Sequence, residues 1–318
     1  MKKLVFAVFL GLPVAAQGAS LAYPDWAYGI PTPQNEAVAP KDDGTLFSLP
    51  GAKGRFTRGQ ISGVNHKPPA DWYPQDHPAM PRVVAAGDRG RGITACAGCH
   101  NPNGRGRPQN AGIAGLDAGY LVRQLHDFKA GTRKSAEPRK HNAQQMVDFA
   151  KAMTEAEMRE AAAYYASLPP TVAIQVRETA TVPALRSQEG MWLPDASRPR
   201  EKISIRVIET PVNVDREQLR DPHAAFIAWV PRGAVAKGKN LAAELGCAAC
   251  HGEKLTGNGD TAPGIAGRSP SYLARQLYDL HTGSRHGEMA ALMQPIVAKL
   301  TANDVVYLTA YLASLPAR

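Results

Sequence analysis

Two segments of this chain have the pattern Cys-x-x-Cys-His, at residues 96–100 and 247–251, and they contain all four cysteines of the protein. Two thiols three residues apart can form thioethers to the vinyl groups of one haem from a single helical turn. The adjacent imidazole can then bind the iron as its proximal ligand. The spacing therefore predicts two covalently attached c-type haems. The predicted attachment and proximal residues are Cys96, Cys99, His100, Cys247, Cys250 and His251.

Two other uses of paired cysteines remain open at this point. A thioredoxin-like redox dithiol does not need the trailing histidine and normally follows a strand. A zinc site shared between the two cysteine pairs would leave His100 and His251 without a role. Both alternatives explain fewer of the residues than covalent haem does.

The N-terminus predicts export. Met1-Lys2-Lys3 is followed by an apolar run from Leu4 to Ala16 and then by small residues, which is the pattern of a signal peptide, here residues 1–19. Cleavage after Ala16 or after Ala19 fits the pattern equally. The run is shorter than the roughly 20 residues that a membrane span needs, although a retained anchor is the alternative. We therefore expect a periplasmic protein with no transmembrane segment in the mature chain.

Composition restricts the partners. The chain has 318 residues, enough for about two domains, and a formal charge of +9. Loss of two N-terminal lysines and addition of four haem propionates would leave about +3, so a mildly basic face could steer an acidic redox partner. No Lys/Arg-rich block is present, which argues against nucleic-acid binding.

The sequence around each motif is repeated about 150 residues later. The repeat continues well beyond the cysteines, so one whole domain is duplicated. The matching segments are Val84–Gly87 and Val235–Gly238, Gly112–Gly115 and Gly264–Gly267, Tyr120–Leu125 and Tyr272–Leu277, Gly131–Arg133 and Gly283–Arg285, and Tyr164–Pro169 and Tyr311–Pro316.

Each copy has a helical pattern. Apolar residues from Tyr120 to Lys129 fall on one face of a helix. The closing helix of each copy begins at a capping-box spacing, Thr154-x-x-Glu157 in the first and a weaker Thr301-x-x-Asp304 in the second. Each copy is therefore predicted to consist of an N-terminal helix, the haem motif, a middle helix and a closing helix.

The repeat also suggests a second axial ligand for each iron. Met146 and Met293 each lie eight residues before the capping threonine, in a segment expected to be a loop. A methionine thioether often occupies this axial position in electron carriers. Competing methionines have no counterpart in the other copy, and two histidines of the same segment are alternative ligands. These competitors are Met153, Met158, Met289, His141 and His286.

These features together resemble the class I cytochromes c, in particular the dihaem cytochromes of the c4 type. The resemblance covers about 85–169 and 234–316, roughly half of the chain. It implies a mainly α protein with two tandem class I cytochrome c domains, each holding one His/Met-ligated haem iron. It also implies electron transfer between redox proteins, on the dehydrogenase or terminal-oxidase side, with no chemistry on a substrate. Arg133 and Arg285 are candidates to pair with haem propionates.

Three departures from the family pattern stand out. A proline carbonyl commonly orients the proximal histidine in this family, and Pro263 is in place in the second copy. The first copy has Ala111 at this position, so that either Pro108 substitutes or the contact is lost.

The second and third departures are an irregular extension, 20–82, and a long linker, 170–233. They lie before and between the predicted domains at 83–169 and 234–318. Alternating residues predict linker strands at 171–176 and 203–208, which we expect to pair as a short β-hairpin.

Two other functions fit two such motifs. The extension and linker make a cytochrome subunit of a periplasmic dehydrogenase complex credible. A dihaem peroxidase has two such motifs in a chain of this size, but its halves differ and one of its irons opens a coordination site for peroxide. A thiosulfate-oxidising dihaem enzyme is a weaker alternative, because it needs an unusual ligand such as a further cysteine.

Overall fold

The computed structural model describes residues 21–63, 68–171 and 173–317. The predicted signal peptide, residues 1–19, lies outside the described residues. Within the described ranges, no helix combines the length and the apolar character that crossing a bilayer requires.

The extension and the first copy are built from short helices joined by turns. The helices are α1 (Arg58–Ser62), α2 (Arg82–Ala85), α3 (Ala97–His100), α4 (Ala118–Ala130), α5 (His141–Ala152) and α6 (Glu155–Ser167), with 3-10 turns at Asp25–Ala27, Pro74–Asp76 and Arg89–Arg91. The predicted middle helix is confirmed as α4, where the Asp117 carboxylate accepts the Tyr120 amide as N-cap. The predicted capping box is also confirmed: Thr154 and Glu157 exchange side-chain and backbone hydrogen bonds at the start of α6.

The expectation that Met146 and Met293 lie in loops is wrong. Met293 ends a 3-10 helix, Glu288–Met293, and Met146 lies inside α5. Alanine, glutamine and lysine in this segment favour helix. Val147 and Ala150, three residues apart on one face, are buried, and their burial anchors α5 on the domain core.

The linker forms a compact β-rich unit. Its elements are β1 (Ile174–Thr179), β2 (Thr181–Val182), β3 (Leu185–Gln188), β4 (Met191–Pro194), β5 (Glu201–Lys202), β6 (Ile208–Pro211), α7 (Val214–Gln218) and β7 (Phe226–Pro231). A three-stranded sheet has the order β1-β7-β6. The central strand β7 pairs in parallel with β1 and antiparallel with β6.

The predicted pairing of 171–176 with 203–208 is therefore wrong. The central strand is Phe-Ile-Ala-Trp-Val-Pro, an apolar run with mostly buried residues, and it separates the two segments. A hairpin does occur elsewhere in the linker, between β3 and β4. Glu189 and Gly190 between these strands both have positive φ, as a two-residue hairpin turn with primed geometry requires.

The second copy follows β7 directly. Its elements are α8 (Ala234–Glu244), α9 (Cys247–His251), β8 (Gly257–Asn258), β9 (Ala262–Pro263), α10 (Pro270–His281), a 3-10 helix (Glu288–Met293), α11 (Gln294–Val297) and α12 (Ala302–Ser314). The Thr301–Asp304 capping box is complete. Gly238 lets α8 cross α12 closely, since a Cβ there would lie 1.9 Å from the carbonyl oxygen of Tyr307.

Separate apolar cores support the parts of the molecule. One core lies within the first copy and contains Val84, Met158 and Tyr165. A second core joins α12 of the second copy, the linker sheet and the extension, which contributes Trp26 and Tyr28. The extension is thus part of the core that joins the linker sheet to the second copy, whereas the first copy has a core of its own.

Candidate haem sites

The first predicted haem motif lines a cavity. Cys96 is the N-cap of the short helix α3, and one wall of the cavity contains Cys96, Cys99 and His100. Met146 lies on the same cavity, whose volume is about 190 Å³. Most of the remaining lining is apolar, including Leu121, Leu125, Phe128 and Phe149. The hydroxyl of Tyr165, also on this cavity, is buried without a hydrogen-bond partner among the described residues. These residues fit a covalently attached haem.

Both predicted proximal histidines are oriented in the same way. His100 Nδ1 lies 2.8 Å from the carbonyl oxygen of Ala111, and His251 Nδ1 lies 2.8 Å from that of Pro263. A carbonyl only accepts, so Nδ1 donates and Nε2 keeps the lone pair that binds a metal. Burial also lowers the pKa of both imidazoles, which keeps them neutral.

Replacement of the family's proline by Ala111 in the first copy therefore leaves the orientation of the proximal histidine unchanged. The backbone carbonyl of Ala111 makes the contact that Pro263 makes in the second copy. Both expectations for the first copy, substitution by Pro108 and loss of the contact, are wrong. The Pro108 carbonyl accepts from Arg275 instead, at 2.7 Å.

The cysteines do not fit the two alternatives to haem attachment. Burial raises the pKa of the Cys96 thiol to about 12, and burial also raises the pKa of Cys247. Reactive dithiols instead have a lowered thiol pKa. Among the described residues, no three His, Cys, Asp or Glu side chains come together as a metal site. A zinc site shared by the two pairs is therefore not assembled.

The structure separates the candidate axial ligands by burial. Met146 lines the first cavity, and Met293 is partly buried against the core that Cys247 also contacts. Met158 is fully buried in the core of the first copy, whereas His141 and His286 are exposed. Met153 also lines the first cavity and stays the competitor of Met146.

Arg133 and Arg285 join the two copies. Arg133 donates to Gln124 within its own copy at 2.8 Å and to Gln276 of the other copy at 2.9 Å. Arg285 repeats this arrangement, donating to Gln276 at 3.2 Å and to Gln124 at 2.8 Å. Each arginine also reaches a tyrosine hydroxyl of the opposite copy, Tyr272 or Tyr120. The duplicated motifs thus form a pseudo-twofold contact. Arg133 also lines the first cavity.

Comparison with known proteins identifies the family. The sequence profile named Cytochrome c matches residues 87–169 and 235–316, which is more than half of the chain. The chain belongs to the cytochrome c family. The predicted resemblance and the fold class, two tandem and mainly helical cytochrome c domains, are confirmed. The cytochrome carries two covalently attached haem c groups, and its function is electron transfer.

Full-length relatives support this reading. A cytochrome c4 of Azotobacter vinelandii is 26% identical over 238 residues, which cover 73% of this chain and 90% of the relative. A thiosulfate dehydrogenase electron acceptor of Stutzerimonas stutzeri is 25% identical over 237 residues, covering 74% of this chain and 85% of the relative. Both names describe cytochromes or electron acceptors, in agreement with the prediction of a carrier that is not an enzyme.

Two solved structures are similar over a comparable part of the cytochrome. The thiosulfate dehydrogenase TsdBA from Marichromatium purpuratum has a TM-score of 0.49 and 29% identity, covering 74% of this chain and 39% of the other. Reduced cytochrome c4 from Pseudomonas stutzeri has a TM-score of 0.45 and 21% identity, covering 71% of this chain and 97% of the other.

The residues flanking the first motif were missed by the sequence reading. Arg220 of the linker donates to the carbonyl oxygen of Gly98, inside the motif, at 2.7 Å. Pro69 of the extension has its Cγ 3.9 Å from where a Cβ of Gly98 would lie. We call Pro69 and Arg220 the cover of the first motif. No repeat or motif marks either residue, because each lies in a segment that is not duplicated.

Proposed function

We propose that this cytochrome is a periplasmic electron carrier with His/Met ligation at both irons. In the first site His100 and Met146 bind the iron, and Cys96 and Cys99 hold the haem through thioethers. In the second site His251 and Met293 bind the iron, and Cys247 and Cys250 hold the haem. The domains are placed at 83–169 and 234–318, after an exported and cleaved leader.

One observation carries the proposal: the first cavity brings both cysteines, the proximal histidine and Met146 onto one lining. A bound haem supplies a one-electron couple at such a site. The hydrogen bond from the imidazole Nδ1 to a backbone carbonyl fixes the ring and leaves the Nε2 lone pair free to bind iron. With His100 and Met146 both bound to the iron, no coordination position would be left for a substrate.

The names of the relatives suggest the kind of partner. Two relatives are called thiosulfate dehydrogenase electron acceptors. We therefore place this cytochrome downstream of a periplasmic dehydrogenase, as a diffusing acceptor or as a subunit of the dehydrogenase complex. Size-exclusion chromatography of the native periplasmic fraction distinguishes these two arrangements, because a subunit co-elutes with dehydrogenase activity whereas a free acceptor elutes at the size of a monomer, without that activity.

Ligand substitutions test the coordination. Leucine is close in volume to methionine but cannot bind iron. We expect Met146→Leu and Met293→Leu each to remove the methionine–iron charge-transfer band of one ferric haem and to lower that haem's reduction potential. Met153→Leu and Met289→Leu are the matched controls, since each changes a nearby methionine without touching a proposed ligand.

Two results would contradict the proposal. If Met153→Leu removes the band and Met146→Leu does not, the first ligand is wrongly assigned. High-spin iron at one haem of the wild-type protein, together with turnover of hydrogen peroxide, would instead identify a dihaem peroxidase.

A further inference from the structure

Arg268 is a residue that the duplication does not explain. It follows the repeated Gly-Ile-Ala-Gly segment of the second copy, where the first copy has Leu116. Its Nη1 donates to the carbonyl oxygen of Gly112 in the first copy at 2.8 Å. Its Nε donates to the carbonyl oxygen of Gly264 in its own copy at 3.2 Å. One guanidinium therefore bridges the same loop in both domains.

These two loops orient the proximal histidines. Gly112 directly follows Ala111, whose carbonyl accepts from His100, and Gly264 directly follows Pro263, whose carbonyl accepts from His251. Arg268 thus binds the residue next to each histidine acceptor. No other side chain among the described residues donates to both of these glycine carbonyls.

Arg268 is partly buried, and its charge lacks a carboxylate partner among the described residues. Burial lowers its pKa, and the groups that act on it in the opposite direction are the phenols of Tyr272 and Tyr120. None of the ion pairs found among the described residues includes it. An arginine remains protonated even in such surroundings. A positive charge is therefore fixed between the two proximal loops, where the low dielectric strengthens its field.

We propose that Arg268 is a positioning residue shared by both haem sites, which ties the two proximal loops together and raises both reduction potentials. Reduction of a ferric haem lowers its net charge by one, so a nearby fixed cation favours the reduced form. Because the guanidinium bonds to both loops, it acts on both haems. This inference rests on the proposed function, since it takes His100 and His251 as the proximal ligands.

A matched control crosses the same interface. Arg123 of α4 pairs with Asp260 of the second copy, but the Asp260 side chain is 61% exposed. Arg123→Gln removes the same charge from a hydrated rim where fields are screened. Arg268→Gln removes the buried charge, and Arg268→Lys keeps it.

The test is a spectroelectrochemical titration of the holoprotein that resolves both midpoint potentials. We expect Arg268→Gln to lower both midpoints, whereas Arg268→Lys and Arg123→Gln leave both near the wild-type values. Unchanged midpoints in Arg268→Gln, or a shift at one haem alone, would overturn the inference. If Arg268→Gln does not accumulate as holoprotein, Arg268→Met takes its place in the same titration: two lowered midpoints support the role of the charge, and unchanged ones refute it.

Failure of this inference is distinguishable from failure of the proposed function. The wild-type spectra report His/Met ligation independently of any Arg268 variant. Intact methionine bands with unmoved midpoints in Arg268→Gln would remove only the role of the arginine.

Discussion

The two haem motifs have the same sequence pattern but different surroundings. In the first copy Ala97 is 3% exposed and Gly98 is buried, beneath the cover formed by Pro69 and Arg220. In the second copy the corresponding Ala248 and Ala249 are exposed. A partner protein can therefore reach the motif of the second copy directly, whereas the first is screened by the extension and the linker.

The difference arises outside the duplicated sequence. Within the repeat, the two copies match closely: each histidine bonds to one carbonyl, and Arg133 and Arg285 make reciprocal contacts. The extension and linker have no second copy, and they pack on one motif only. Duplication supplied two equivalent sites, and the unique segments made their surfaces unequal.

The largest expected effect comes from loosening the cover. Trp72 is 1% exposed, and its indole donates to the carbonyl of Leu219, next to Arg220, at 2.8 Å. We expect Trp72→Ala to lower the free energy of unfolding by about 3–5 kcal/mol, since it empties a buried aromatic site. Amide exchange at Ala97 and Gly98 should become faster, measured by hydrogen–deuterium exchange.

Trp229→Ala in strand β7 is the control for this change. Its ring is partly buried and lies in the linker sheet, so its loss should not speed exchange at the first motif. If Trp72→Ala destabilises the protein but leaves that exchange unchanged, the cover does not depend on the packing of Trp72.

A second prediction compares Asp279 with its counterpart Asp127. Burial raises the pKa of Asp279 from 3.8 to about 6. The folded state thus holds this proton more tightly, and stability is lost as pH rises from about 3.8 through about 6, by up to about 3 kcal/mol. We expect Asp279→Asn to remove this loss, measured as the difference in unfolding free energy between about pH 4 and about pH 7.

Part of the stability that Asp279→Asn gains at neutral pH is offset. The side-chain NH2 that replaces Oδ2 cannot accept the hydrogen bond that Gln276 Nε2 donates to the carboxylate at 3.1 Å. Asp127→Asn is the matched control, because it makes the same change at the equivalent position of the first copy. An equal effect of both substitutions would mean that the copies do not differ at this position.

Arg220 provides a smaller and more local test of the asymmetry. We expect Arg220→Gln to lower the reduction potential of the first haem and to leave the second unchanged, because the charge lies on the first motif alone. The lost hydrogen bond from a charged donor should also cost about 1.5–3 kcal/mol of stability. A redox titration resolves the two haems, and a shift at both would show that the cover is not specific to one site.

The smallest expected effect concerns the capping boxes of the closing helices, where the two copies have the same geometry. Thr154 accepts from the Glu157 amide at 3.2 Å, and Thr301 accepts from the Asp304 amide at 3.3 Å. We expect Thr154→Ala and Thr301→Ala each to lower the unfolding free energy by about 1 kcal/mol, measured by urea denaturation. Clearly unequal losses would mean that the asymmetry extends into the closing helices.

Sequence reasoning predicted those features that local spacing and the repeat determine. The motifs, the middle helix α4 and the capping boxes depend on neighbours along the chain, and the copies check one another. Tertiary contacts decided the rest. The helix around Met146 depends on burial of Val147 and Ala150, and the pairing of β1 depends on β7, about fifty residues away. Arg220 and Arg268 donate to backbone carbonyls, and because every residue has such a carbonyl, no sequence pattern identifies these contacts.

The parallel pairing of β1 with β7 fixes the distance between the two electron sites. As a flexible chain, a linker of about 64 residues would let its ends separate by about 40–50 Å on average. Instead, the strand leaving the first domain lies beside the strand entering the second. Their residues pair in register, from Ile174 with Phe226 to Thr179 with Pro231, and neighbouring strands of a sheet lie about 4.8 Å apart. The spacing of the two domains therefore does not depend on the length of the linker. Residues could be inserted into or deleted from the loop at 195–200 without changing the distance that an electron travels between the domains.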